Sequence, residues 1–318
     1  QAGKKQDRAM EGADQATLDP LAARRPDGGM FMWSEQGNVK HQVPSGHSGT
    51  SNSSAAALLS YDIPHRAPWD WRVSLYTFTK SISSGAYLVP LLLALSGMIT
   101  WTNSVWTLLG PAVAMIFLLV TGALLVWDLD HPERFWMVLT RPQWRSWLVR
   151  GGFIITGYGG ILALHLGAVI GGRPEIPQSL SWVGGPLAAM TAIYTAYLFA
   201  QAKARDLWQS PLLPPHLLVQ ALLAGSATLT LLNPDGLGVG AVWILKASLA
   251  VHLILALGEV SMPHPTAHAA LAARNMTRGA YAAFYWGGIA LTAGSLLLVG
   301  TNDTIGALAG LAGLFLHE

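Results

Sequence analysis

The 318-residue sequence contains no cysteine. This absence excludes disulfide bonds, zinc sites built on thiolates, and an iron–sulfur cluster held by these residues themselves. Charged residues are also scarce, at 11% of the sequence, whereas soluble domains carry about 25%. Hydrophobic residues make up 52% of the sequence and the mean hydropathy is +0.39. Together these values indicate a membrane protein.

Residues 1–70 differ from the remainder because no periodic apolar segment in them is long enough to build a core. GHSGTSNSS is low in complexity, and LDPLAARRPDGG contains residues typical of turns. Such a segment cannot offset about 1–2 kcal/mol of backbone entropy per residue. We therefore expect an extended tail that becomes ordered only on a partner. The first residue is Gln and the sequence stops at FLHE, so we expect both ends to be incomplete.

From residue 71 onward, eight stretches are apolar enough to cross a bilayer as helices, which takes about 20 residues each. The predicted spans are 73–97, 105–127, 151–171, 183–202, 216–233, 239–259, 280–300 and 303–317. The predicted fold is all-α, an eight-transmembrane-helix bundle over residues 71–318. Asp128 and Pro132 recur as Glu259 and Pro263. This faint repeat predicts two four-helix halves in parallel orientation.

Basic residues are concentrated in alternate connectors between the predicted spans. These connectors carry Arg134, Arg141, Arg145 and Arg150, then Lys203 and Arg205, then Arg274 and Arg278. The other connectors hold a single basic residue, Arg173. By the positive-inside rule, the basic connectors and both termini lie in the cytoplasm.

Ionisable side chains inside a membrane are costly, so each one is a candidate functional residue. In the first span, Ser84 lies four residues after Lys80, and Tyr87 lies on a neighbouring part of the same face. In the third span, Tyr158 and His165 are seven residues apart and share a face. The alternatives are structural: Lys80 could snorkel its ammonium group to the headgroups, and His165 could hold one interhelical hydrogen bond.

The sixth span carries three further ionisable residues, Lys246, His252 and Glu259. His252 and Glu259 are seven residues apart and share a face, which Lys246 does not share with His252. A proton path and structural pairing are both open for this span. No set of metal ligands is predicted in the sequence.

The segment between the second and third spans, residues 127–150, is here called the signature connector. Asp128 stands where the second helix leaves the membrane, Asp130 follows, Arg134 comes four residues later, and Arg150 begins the third helix. Its tryptophans suit a membrane interface; they include Trp136, Trp144 and Trp147. An interfacial hairpin with ion pairs would explain most of these residues. An acid, an arginine and aromatic rings also suit a proton-exchanging headgroup with an apolar tail, such as a quinone.

The run WDLDHPERFWMVLTRPQWRSWLVRGG resembles the signature of the NrfD / polysulfide reductase membrane-subunit family, with its Asp-Leu-x-x-Pro-x-Arg-Phe core and its Ser-Trp-x-x-Arg-Gly start of the third helix. PWDWRVSLYTFTKSISSGAYL resembles that family's first helix. The resemblance covers about residues 60–318. It implies an eight-helix, quinone-reactive anchor without haem, in the cytoplasmic (inner) membrane of a bacterium or archaeon. The quinone would be menaquinone or ubiquinone.

The predicted quinone site joins residues of the resemblance to neighbours on the same helix faces. Asp128, Arg134, Trp147 and Arg150 match the family motif directly, and Lys80 and His165 match by helix and depth. Ser84 and Tyr87 lie near Lys80 on the first helix, and Tyr158 shares the face of His165. Lys80 and His165 are predicted to donate hydrogen bonds to the two quinone oxygens, because a nearby cation or N–H stabilises negative charge that develops on oxygen. Asp128 is predicted to exchange protons with water, with Arg150 or Arg134 holding its charge. Asp128, His165 and Lys80 are thus the predicted catalytic residues.

The predicted function is exchange of electrons and protons between membrane quinone and an iron–sulfur subunit or domain, in a respiratory complex of the formate dehydrogenase or polysulfide reductase kind. The site for the soluble substrate would lie on a molybdenum or tungsten subunit. GADQATLDPLAARRPDGGMFMW resembles the far end of an iron–sulfur module, which suggests a fusion. Membrane lipid is an expected partner and nucleic acid is not.

Two other functions are open. A haem b anchor needs two facing histidines, and His165 with His252 are the mid-membrane pair in the sequence. A secondary transporter is suggested by the parallel halves together with Lys246 and His252.

Overall fold

A computed structural model of the protein describes residues 71–129, 131–201, 206–232, 238–264 and 266–318. The predictions for the tail at residues 1–70, for Asp130, and for Lys203 and Arg205 lie outside the described residues. All regular elements within the described ranges are helices. This agrees with the predicted all-α class.

The main helices run between short connectors. They are α1 (Trp71–Leu95), α2 (Val105–Trp127), α3 (Trp147–Ile170), α4 (Ile176–Ala200), α5 (Leu213–Leu232), α6 (Gly238–Ser261), α7 (Ala267–Arg278), α8 (Ala282–Leu298) and α9 (Asp303–His317). Shorter helical turns occupy Pro132–Arg134, Met137–Thr140 and Asp206–Gln209. Three chain reversals use a glycine with positive φ, namely Gly97, Gly172 and Gly300. Glycine reaches this left-handed conformation without the steric cost of a Cβ atom.

Six helices, α1 to α6, are long and apolar enough to cross a membrane. Helices α7 and α8 together make a seventh candidate, with a bend of 72° between Ala269–Arg278 and Ala282–Leu298. Helix α9 is apolar but has 15 residues, fewer than the roughly 20 that a straight crossing takes. The described residues therefore contain six or seven candidate spans.

The helices present apolar side chains outward and bury polar ones. Ile170 is 80% exposed and Leu297 is 81% exposed. Lys80 has no exposed surface, and neither has His165. This distribution is the reverse of a soluble protein and suits a domain whose outer surface meets lipid.

Residues 71–262 and 272–318 belong to one compact unit. The described residues between 263 and 271, which contain the beginning of α7, fall outside this unit. In the compact unit, α1 packs against α2, α4 and α5, while α3 packs against α2 and α4. Helix α5 packs against α6 and α9, and α8 packs against the same two helices.

Helices α1 and α5 approach closely at two glycines. A Cβ atom on Gly85 would lie 1.8 Å from the backbone oxygen of Ala221, and one on Gly225 would lie 2.1 Å from the backbone carbon of Gly85. Small residues allow such contact between membrane helices. The two backbones can therefore touch only while both positions lack a side chain.

We predict that Gly225→Ala destabilises the membrane domain by about 1–3 kcal/mol, the usual cost of overpacking. The melting temperature of the purified protein in detergent measures this effect. Gly160→Ala is the control, because a Cβ atom there would meet nothing within 4 Å. Equal melting temperatures for the two variants would contradict the close α1–α5 contact.

Candidate functional site

Four buried rings from α1, α2 and α3 meet around Tyr87. The Tyr87 ring centroid lies 5.3 Å from that of Trp106, 5.9 Å from that of Tyr158 and 5.8 Å from that of His165. The Trp106 and His165 centroids are 5.0 Å apart. None of the four side chains has exposed surface. We call Tyr87, Trp106, Tyr158 and His165 the aromatic–histidine cluster.

Local backbone features position these rings. Trp106 lies in a π-helical turn, Val105–Leu109, at the beginning of α2; such turns are frequent at functional sites. The seven-residue spacing puts Tyr158 and His165 on the same face of α3. A Cβ atom on Gly184 of α4 would lie 2.3 Å from the Tyr87 hydroxyl. Glycine at this position therefore makes room for the Tyr87 hydroxyl.

Several polar atoms here have no hydrogen-bond partner among the described residues. They are the hydroxyls of Ser84 and Tyr87, the indole nitrogen of Trp106 and both ring nitrogens of His165. The backbone at Trp106 and Thr107 approaches His165 without meeting hydrogen-bond geometry. Tyr158 differs, since its hydroxyl donates to the backbone oxygen of Ser83 at 3.1 Å. Buried polar groups are nearly always paired. These unpaired atoms are therefore candidate hydrogen-bond partners of a polar ligand.

Lys80 lies two turns before Tyr87 on α1 and is held by α4. Its Nζ atom donates to the backbone oxygen of Ala192 at 2.8 Å and to the Thr195 hydroxyl. The same atom lies 5.4 Å from the Tyr194 ring centroid. Lys80 is fully buried, which argues against the snorkelling alternative. The structure thus places the lysine side chain inside the helix bundle.

An apolar cavity of about 150 Å³ lies between α2, α3 and the signature connector. Phe135 and Leu148 line it, and so does Tyr194. A Cβ atom on Gly151 would lie 2.3 Å from the Tyr194 ring. The glycine of the Arg150-Gly151 pair therefore lets Tyr194 pack against α3. Tyr194 connects the cavity wall with the surroundings of Lys80.

An ion pair lies at the C-terminal end of α2, where the signature connector begins. Nε of Arg72 lies 3.4 Å from a carboxylate oxygen of Asp128, whose side chain is 18% exposed. Nη1 of Arg72 also donates to the backbone oxygen of Trp127 at 3.2 Å. Arg134 is exposed and its Nε lies 3.9 Å from Glu133. Arg72, on α1, is thus an ion-pair partner of Asp128 that was not predicted from the sequence.

The end of the signature connector is held by aromatic contacts. The Arg150 guanidinium carbon lies 4.8 Å from the Trp147 ring centroid. Nε of Arg150 donates to the backbone oxygen of Trp144 at 2.6 Å. Trp147 stacks on Tyr197 of α4, with centroids 4.5 Å apart. These contacts orient the beginning of α3.

The structure separates the predicted site residues into three places. Tyr87, Tyr158 and His165 are together, with Ser84 one turn earlier on α1. Lys80 is seven residues from Tyr87, which is about 10 Å along a helix. Asp128, Arg134, Trp147 and Arg150 lie in the signature connector. Lys80 contacts α4, whereas His165 contacts Tyr87 and Trp106, so their joint role stays a prediction.

Trp106 was missed because a tryptophan in the first turn of a predicted span is typical of an interfacial residue. Its place in the aromatic–histidine cluster depends on the π-helical turn, which has no clear sequence pattern. Tyr194 was missed because nothing in the spacing of α4 relates it to Lys80. Gly151 was the available signal for Tyr194, since it makes room for that ring.

The histidines proposed for a haem do not face each other. His165 contacts Tyr87 and Trp106, whereas Nδ1 of His252 lies 2.9 Å from Nε2 of His216. A bis-histidine haem would need both rings on opposite sides of one iron. The described arrangement disfavours that alternative.

The sequence profile described as "Polysulphide reductase, NrfD" matches residues 61–309. The match covers most of the chain and includes both the aromatic–histidine cluster and the signature connector. The chain belongs to the polysulphide reductase NrfD family. The resemblance noted from the first helix and the signature connector is thereby confirmed.

Three relatives of this NrfD-family chain are each 24% identical to it. One, assigned as a membrane subunit of dimethyl sulfoxide reductase in Halobacterium salinarum, aligns over 50% of this chain and 44% of its own length. A polysulfide reductase subunit of Wolinella succinogenes aligns over 70% and 79%, respectively. A protein NrfD homolog of Haemophilus influenzae aligns over 53% and 61%. The chain thus spans less than half of the first relative and most of the second.

Proposed function

We propose that this chain is the quinone-binding membrane subunit of a formate dehydrogenase- or polysulfide reductase-like respiratory complex. It exchanges electrons and protons between the membrane quinone pool and an iron–sulfur partner. Membership of the NrfD family supports this assignment, as do the relatives named as reductase subunits. The soluble substrate reacts on another subunit, which carries molybdenum or tungsten.

The observation that carries the proposal is the set of unpaired polar atoms around Tyr87 and His165. A hydroxyl, an indole N–H and an imidazole N–H are all donors, and a quinone carbonyl is an acceptor that carries no donor. Leaving such groups unpaired costs about 1–3 kcal/mol each, so an acceptor ligand would stabilise this region. Menaquinone and ubiquinone both fit this chemistry. A bound quinone supplies two-electron, two-proton redox chemistry.

The other predicted residues support the donors from a distance. Lys80 provides a cation within the bundle, where stabilisation of negative charge is strongest because water is excluded. The apolar cavity, lined by Leu125, Phe135 and Ile155 among others, suits part of an apolar tail. Asp128 is partly exposed at the end of α2, so it can exchange protons with water while Arg72 holds its charge.

The signature connector is the proposed docking site for the iron–sulfur partner. Trp136 and Trp144 are about half exposed, and Arg141 and Arg145 are exposed beside them. Exposed aromatic and arginine side chains are enriched at protein interfaces. The sequence has no cysteine, so the iron–sulfur cluster that exchanges electrons with quinone would belong to the partner.

The proposed architecture has eight spans in two four-helix halves. Helices α1 to α4 form the first half, and α5, α6, α8 and α9 form the second, as the packing pairs described above support. Both ends and the signature connector lie on the cytoplasmic side of a bacterial or archaeal membrane. The basic residues of that connector support this orientation.

We predict that single cysteines at Ser104 and Gln143 are labelled by a membrane-impermeant maleimide from opposite sides. The background contains no cysteine, so each introduced thiol reports one site. Gln143 lies in the signature connector and should be reached from the cytoplasm. Labelling of both thiols from the same side would contradict the topology.

Quinone-linked turnover of the intact complex tests the function. The purified complex should transfer electrons between its soluble substrate and a short-chain quinone analogue, and a quinone-site inhibitor should block this transfer. Retained dye activity without quinone-linked turnover would contradict the proposal. Substrate uptake by vesicles without any electron donor would favour the transporter instead.

A further inference from the structure

A second buried polar group lies among α5, α6 and α9, outside the proposed quinone site. Each helix contributes one histidine, namely His216, His252 and His317. The ring centroids are 4.8 to 5.4 Å apart. His216 is 4% exposed and His252 is 1% exposed. We call these residues the three-histidine cluster.

The ring nitrogens of this cluster converge. Nε2 of His216 lies 2.9 Å from Nδ1 of His252, and one nitrogen from each of the three rings lies within 4.8 Å of the others. In tetrahedral zinc sites the Zn–N distance is about 2.0–2.1 Å, which separates two nitrogen ligands by about 3.3 Å. Binding to a common ion therefore requires ring rotations that shorten the widest of these separations.

Hydrogen bonding within the cluster does not account for all three rings. One contact pairs a nitrogen of His216 with a nitrogen of His252, but Nδ1 of His317 is buried without a partner among the described residues. Tyr285, whose ring centroid is 6.2 Å from that of His317, donates its hydroxyl to Ala256 instead. A metal ion bound by all three rings would give this unpaired imidazole nitrogen a partner.

The surroundings also favour a cation over a larger group. Ring centroids about 5 Å apart leave no space for a macrocycle between them. Imidazole ligands suit zinc, copper, iron and nickel ions.

We propose that the three-histidine cluster binds one divalent transition-metal ion, with Zn²⁺ as the probe that tests it. Three protein ligands leave a fourth position for water or a small ligand. The bound ion connects α5, α6 and α9, which in the described part of the chain meet through packing and the one histidine pair. The site is separate from the aromatic–histidine cluster, so it does not depend on the proposed quinone function.

Metal content of the purified intact complex tests the site. After treatment with a chelator and reloading with Zn²⁺, mass spectrometry of the metal should find one ion per chain above any bound by the partner subunits. His252→Gln and His317→Asn should each lower the affinity of that ion at least about tenfold, since even outer partners of metal ligands contribute 10–100-fold. His165→Gln, a buried histidine outside the cluster, is the control and should keep it.

Two results would overturn the proposal. One is a wild-type complex that retains no such ion after reloading, a result that needs no variant to fold. The other is equal Zn²⁺ binding in His252→Gln, His317→Asn and the control. Loading with Co²⁺ adds a direct readout, since a tetrahedral site gives visible absorption bands that the two ligand variants should lose.

Discussion

His165→Phe is expected to lower quinone-linked turnover by about 100-fold or more, the effect of removing one preorganised donor from an oxyanion-type site. Phe keeps an aromatic ring beside Tyr87 and Trp106 but cannot donate or accept a hydrogen bond. The loss should therefore come from chemistry at the ring nitrogens and leave the packing of the aromatic–histidine cluster largely intact.

The measurement compares two activities of the same purified complex. Quinone-linked turnover should fall, whereas the soluble half should remain active with artificial dyes and remain bound to the membrane subunit. Leu164→Phe is the matched control, because it introduces the same ring at a neighbouring position that is 60% exposed. Normal quinone turnover in His165→Phe would remove this residue from the site.

Lys80→Met is the second substitution with a large expected effect, also about 100-fold on quinone-linked turnover. Methionine preserves most of the apolar stem but removes the ammonium group that binds Ala192 and Thr195. The charge that stabilises negative oxygen within the bundle is thereby lost. The acceptors on α4 also lose their donor, so some decrease in stability is expected.

Lys246→Met distinguishes a lysine that acts in quinone turnover from one that acts in transport. Lys246 lies on α6 in the other group of helices, and a quinone site in α1 to α4 predicts near wild-type turnover for its variant. For a transporter that uses Lys246, Lys246→Met would cause the larger loss of activity and Lys80→Met the smaller one. Equal turnover in Lys80→Met and in the wild type would contradict the role assigned to Lys80.

Much of the helical organisation was predictable, because hydropathy responds to the same apolar surface that lipid requires. The predicted span 105–127 coincides with α2. The predicted span 183–202 begins late, since α4 starts at Ile176. Its first turn is polar and contains Pro177, which hydropathy disfavours although proline is tolerated in the first turn of a helix.

The bend between α7 and α8 was not predictable from hydropathy. An ordinary span was predicted at 280–300, whereas the structure has α8 at Ala282–Leu298 preceded by the amphipathic α7. Hydropathy averaged over a window of residues contains no information about the direction of a helix axis, so it cannot show a bend between two helices. The eighth predicted span, 303–317, is an apolar helix whose length alone does not establish a crossing.

Residue contacts within the candidate site followed helical spacing where they lay on one helix. Tyr158 and His165 were expected on one face and both belong to the aromatic–histidine cluster. Contacts between helices were less accessible, because spacing along one helix contains no information about its neighbours. The pairing of Arg72 with Asp128 and of His216 with His252 depends on such contacts.

The location of a bound quinone tests the central claim most directly. A photoreactive quinone analogue, cross-linked in the intact complex and mapped by peptide mass spectrometry, should label α1 to α4. The expected labelled peptides contain Tyr87 and His165, and excess natural quinone should suppress the labelling. Specific labelling confined to α5, α6, α8 and α9 would contradict the proposed site.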